Sequence, residues 1–137
     1  MVQILHYIHL QQKYATIKEE EVRYEEIMTE DAEYLVVAFG SAARIAQKAI
    51  EDCRSEGIKV GLLRPITLWP FPTKRVAELA GQVKGILCAE INAGQMVQDI
   101  RLAVEGKTPV SHYGRMGGMV PTPEEIAEVI RKQLVQE

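Results

Sequence analysis

Glu90, Asn92 and Gln95 stand within six positions of one another, with Gly94 beside the last, directly after the apolar run Gly85–Ala89. An acid and two amides leaving the carboxyl end of a strand can hydrogen-bond a ligand or a partner. In open α/β sheets that edge is where ligands gather. The plainer reading has Asn92 and Gly94 shaping a turn and Gln95 capping the next helix. Against it stands the cost of burying a strand-end glutamate without a partner. Glu90, Asn92 and Gln95 are therefore retained as an interface or ligand edge.

Other candidates carry weaker signals. Gly40-Ser41 with Arg44 offers an anion site at a helix N-terminus. No GxGxxG accompanies it, so ordinary capping is favoured over a dinucleotide site. Trp69 and Phe71 sit among Pro65, Pro70 and Pro72, either as interface anchors or as packing of a rigid connector. Arg64 leads into that connector, and Arg115 lies in the glycine-rich loop Gly114–Met119. His6 and His9 are three apart with no third ligand near, and His112 reads as a strand-end residue. Cys53 and Cys88 are far apart, in no CxxC spacing, and read as buried thiols in a reducing compartment. Ligand count and spacing exclude a structural zinc site. No Ser/His/Asp or Cys/His constellation is present, so no catalytic residue is assigned.

The elements that must position these residues follow from periodicity. Residues 1 to about 21 read as a loose helical lead-in, closed by the charged run Lys18–Glu21. Val22–Met28 alternates and suits an edge strand. Tyr34–Phe39 is a continuous apolar run, as expected for a strand covered on both faces. Ser41 is a good N-cap, and Ala42–Glu56 carries apolar residues at helical spacing up to the stop at Gly57. Lys59–Leu63 reads as a second core strand. The prolines after Arg64 argue for an extended, irregular path. Thr73–Ala80 is a short helix, Ile86–Ala89 a third core strand, Met96–Val104 a helix and Val110–Tyr113 a short fourth strand. Thr122-Pro123-Glu124-Glu125 combines a cap, a first-turn proline and an acid three residues on, opening a final helix over Ile126–Leu134. Strands alternating with helices make a largely parallel sheet with helices on both faces.

At 137 residues the chain suits one domain with a substantial core. Its apolar share of 47%, charged share of 26% and net charge of -3 are those of an ordinary globular protein without the basic patch of a nucleic-acid binder. No apolar run reaches the roughly 18 residues of a membrane span. Met1–Leu10 lacks the layout of a signal peptide, and a cytoplasmic location is expected.

Four segments, in order, carry a family resemblance: Phe39-Gly40-Ser41-Ala42-Ala43-Arg44, Gly57 to Pro65, Leu68-Trp69-Pro70-Phe71-Pro72, and Glu90-Ile91-Asn92-Ala93-Gly94-Gln95. This succession resembles the C-terminal part of the alpha subunit of 2-oxoacid:ferredoxin oxidoreductases. Tyr113–Gly118 looks most like the branched-chain (2-ketoisovalerate, or 3-methyl-2-oxobutanoate) members. The resemblance implies a transketolase C-terminal-like domain over residues 22–137: three layers, α/β/α, with a five-stranded mostly parallel sheet in the order 1-3-2-4-5. Its antiparallel edge strand would be Val22–Met28, and the Gly40-Ser41 and Glu90–Gln95 turns would flank one crevice. It also implies a parent enzyme using thiamine diphosphate, magnesium, coenzyme A and iron–sulfur clusters, with ferredoxin as electron acceptor. Coenzyme A or a neighbouring subunit is the contact it suggests for Arg115.

None of those cofactors is expected to bind this chain alone. It lacks a GDG…N pattern for diphosphate and magnesium, and it has two cysteines where a cluster needs four. Residues 1–21 stand where a pyrimidine-binding domain is expected, so an excised, inactive assembly domain is the reading, with the rest of the oxidoreductase as its partners. Two rivals stay open: a free-standing nucleotide- or anion-binding α/β module, and the C-terminal domain of a related thiamine enzyme.

Overall fold

The computed structural model describes residues 6, 8–13, 22–66, 71–90, 96–114 and 121–134. Five strands form one sheet: β1 Tyr24–Ile27, β2 Tyr34–Ala38, β3 Val60–Pro65, β4 Ile86–Glu90 and β5 Val110–Gly114, in the order β1-β3-β2-β4-β5. β1 runs antiparallel to β3, and the other pairs are parallel. This is the order and the antiparallel edge that the resemblance implies.

Three helices connect the strands, α1 Gly40–Ser55, α2 Thr73–Ala80 and α3 Met96–Val104, and α4 Pro123–Val129 follows β5, continued by a π-helical turn at Ile130–Leu134. Strand side chains alternate between faces, and with helices on both faces the central strand β2 is apolar throughout. Val36, Ala38, Leu62, Leu87 and Ala89 meet α1 and α4 on one face. Leu35, Val37, Leu63, Ile86 and Cys88 meet α2 and α3 on the other. All of β2 and β4 is buried.

Three expectations need correcting. Helix α1 begins at Gly40, one turn position before the expected cap, with Phe39 as N-cap and no side-chain cap bond. Ser41 therefore lies exposed in the first turn. Arg64 and Pro65 belong to β3: proline lacks only a donor, and at the last position of a strand, paired with Tyr24 of β1, that costs little. The closing helix is not uniform, because its last turn widens and Leu134 reaches over Gly85. The opening of α4 is as the sequence indicates. Thr122 Oγ1 accepts from the Glu125 N–H at 3.2 Å and Pro123 occupies the first helical turn.

The chain passes from β2 through α1 to β3 on one side, then returns across β2 through α2 to β4 on the other. Winding reverses between the carboxyl ends of β2 and β4, and those two strands are neighbours, with Ala38 opposite Ala89. The carboxyl ends of β2 and β4 thus lie side by side at the switch point of the sheet.

Candidate functional site

Glu90 closes β4 on the α2/α3 face, two residues after Cys88, and is only 1% exposed. The Met96 N–H donates to its Oε1 at 2.6 Å and the Val97 N–H to its Oε2 at 3.3 Å. These are first-turn donors of α3, which have no carbonyl partner within their own helix. A carboxylate there also meets the positive end of the helix dipole. Glu90 thus caps α3 across the five intervening positions; Gln95, the cap of the plainer reading, lies outside the described residues.

His112 joins from β5, where it pairs in register with Cys88. Its Nε2 lies 3.2 Å from Glu90 Oε2. The distance is within ion-pair range, but this buried nitrogen has no hydrogen-bond partner among the described residues. We regard the contact as electrostatic proximity, since hydrogen bonds weaken steeply with angle. Burial pushes the Cys88 thiol well above its ordinary range, and the Glu90 charge and a hydrogen bond to Glu90 push it further. Burial likewise raises the Cys53 thiol. Neither cysteine has the character of a nucleophile.

Of the remaining candidates, the described ones lie at or after the carboxyl ends of β2 and β3. Gly40 takes φ 60°, a left-handed conformation that suits glycine, and a Cβ there would meet nothing within 4 Å. Ser41 and Arg44 are exposed on α1. Arg64 pairs loosely with Glu25 across β3 and β1 at 3.7 Å. Phe71 packs half-buried against the α2/α3 core. Trp69, Asn92, Gln95 and Arg115 lie outside the described residues. His6 and His9 are exposed. The structure joins Glu90 to His112 and Cys88, and sets Gly40 and Glu90 at the neighbouring carboxyl ends of β2 and β4. His112 was missed because strand register, invisible in the sequence, sets it beside β4. The available signal was the need of a buried strand-end acid for nearby donors.

Among the described residues, neither the cysteines nor the carboxylates are placed for an iron–sulfur cluster or a metal ion. Cys53 and Cys88 are buried in separate cores on opposite faces of the sheet, so they cannot share an iron–sulfur cluster. Among the described residues, no three His, Cys, Asp or Glu side chains gather as metal ligands. The α3 terminus is taken by Glu90 and does not stand open to a diphosphate.

The family described as pyruvate:ferredoxin oxidoreductase core domain II matches residues 32–126. This chain belongs to that family. The ketoisovalerate oxidoreductase subunit VorB of Methanothermobacter thermautotrophicus is 48% identical over 90% of this chain and 35% of its own length. The 2-oxoglutarate synthase subunit KorA of Methanothermobacter marburgensis is 32% identical over 74% of this chain and 27% of its own. The core domain II chain thus spans about a third of the length of such relatives. A solved 2-oxoglutarate:ferredoxin oxidoreductase from Magnetococcus marinus superposes with a TM-score of 0.80 over 93% of this chain and 23% of that one, at 23% identity. A split-gene transketolase superposes at 0.69 over 82% of this chain and 41% of that one, at 18% identity. Both likenesses show the shared fold of core domain II. No described helix is long and apolar enough to cross a membrane.

Proposed function

We propose that this core domain II chain is an assembly and positioning domain of a thiamine diphosphate-dependent 2-oxoacid:ferredoxin oxidoreductase, one that converts a branched-chain 2-oxoacid to its acyl-CoA. The observation that carries the reading is the 48% identity to a ketoisovalerate oxidoreductase subunit over 90% of the chain. Identity falls from 48% to 32% against a 2-oxoglutarate synthase subunit, and that difference supports the branched-chain substrate. In this reading thiamine diphosphate with magnesium carries the decarboxylation, and clusters pass electrons to ferredoxin, all outside this chain in the cytoplasmic complex. Residues 22–137 form the domain, and residues 1–21 lead in from the neighbouring part. Gly40, Ser41, Arg44, Arg64, Trp69, Phe71, Asn92, Gln95 and Arg115 make its docking edge, with Glu90 beneath.

The test combines the chain with the remaining parts of the oxidoreductase and follows ferredoxin reduction with 2-ketoisovalerate and coenzyme A. The complete assembly should be active and the chain alone inert. Decarboxylation by the isolated chain, or an assembly equally fast without it, would overturn the proposal.

A further inference from the structure

The positive end of a helix at a sheet's switch point is the usual seat of a ligand's anion. Here a side chain already sits there. Glu90 is 1% exposed, both of its oxygens accept α3 backbone N–H groups, and His112 and Cys88 close its remaining side. We infer that Glu90 is an internal anion: it fills the α3 terminus, ties residues 90 and 96 together, and so acts as a positioning residue without touching a ligand. A free phosphate or carboxylate competing for the same N–H groups faces a tethered rival whose effective concentration is in the millimolar range or above. The β2–β4 crevice therefore takes no anion at α3, and what docks there meets a neutralised helix end. This goes beyond the enzyme reading and does not depend on it.

Replacing the anion from outside tests the inference on the chain as it stands. Thermal unfolding and amide hydrogen exchange would be followed for the wild type, Glu90→Ala and Glu90→Gln, with formate titrated against chloride at equal ionic strength. Glu90→Ala should lower Tm by roughly 5 °C or more. Formate should restore part of that loss saturably in Glu90→Ala and do nothing for the wild type. Exchange at Met96 and Val97 should quicken at least about tenfold in both variants, as expected for losing a charge-assisted hydrogen bond, and formate should slow it again in Glu90→Ala. A packing role alone would give no rescue by formate. Should Glu90→Ala fail to fold, Glu90→Gln decides, since it keeps the volume: wild-type exchange at Met96 and Val97 in that variant would overturn the inference. So would formate or phosphate binding to the wild type with resonance shifts at those two amides. None of these readouts uses enzyme activity, so a failed activity assay would not affect them.

Discussion

Arg75 on α2 grips Glu26 on β1 with Nε and Nη2, each at 2.8 Å, and also donates to Glu78 at 3.0 Å. The Arg75 hydrogen bond holds the Glu26 carboxyl below its ordinary value of 4.5, burial opposes it, and the Thr29 hydroxyl assists. With the folded value below the unfolded one, the stabilisation is complete above about pH 4.5 and is lost as pH falls through the folded value. Water reaches much of the pair, so screening limits it to about 1 kcal/mol or less. Arg75→Met should cost about 0.5–1 kcal/mol at neutral pH and progressively less below about pH 4. Urea unfolding at steps between those conditions checks this, and a loss independent of pH would count against an electrostatic origin. Glu90 contrasts with Glu26: one acid is wet and paired with arginine, the other dry and held by backbone donors.

The link between β1 and β2 shows how elements constrain one another. Met28 adopts φ 55°, strained for a side-chain-bearing residue, and its carbonyl accepts from Arg54 Nη2 at 2.6 Å. Arg54 also binds Asp31 and the Val60 carbonyl, fastening the end of α1 to β3 and to this turn. The turn lies so close over β3 that a Cβ on Gly61 would stand 2.7 Å from the Met28 oxygen. Gly61→Ala should thus destabilise by about 1–3 kcal/mol, as overpacking does, measured by the urea midpoint. An unchanged midpoint would mean that the turn lifts freely. The depression of about 640 Å³ beside it is lined by Glu26, Met28, Thr29, Glu30, Asp31 and Arg75. Much of its charge is already paired, Glu26 with Arg75 and Asp31 with Arg54, which gives that region a structural role.

The molecule as a whole is a sheet between two separate cores, one under α1 and α4 and the other under α2 and α3. Ile50 belongs to the first and Ile100 to the second. Ile→Val at either should cost about 0.5–1.5 kcal/mol, and the double variant should equal the sum within about 0.5 kcal/mol. Equilibrium unfolding of the three variants checks this, and a larger coupling would show that strain passes through the sheet. The same architecture explains what was readable in advance. Apolar runs at Tyr34–Phe39 and Ile86–Ala89, the stop at Gly57 and the Thr122-Pro123 opening all act between near neighbours in the chain, so strands, helices and even sheet order could be anticipated, the last with the help of the family resemblance. Ser41 misled because a good capping residue caps only if the helix starts just after it, and α1 starts at Gly40. Other contacts join residues distant in sequence. His112 beside Glu90, Arg75 on Glu26 and Met28 over Gly61 depend on register and on which face each side chain takes. Short-range chemistry writes the elements of this protein into its chain, and that a glutamate marks the end of β4 was plain from the start. That its carboxylate turns inward to cap α3 was settled only by packing, because burial forced it to find donors and the nearest were the unpaired N–H groups of the next helix.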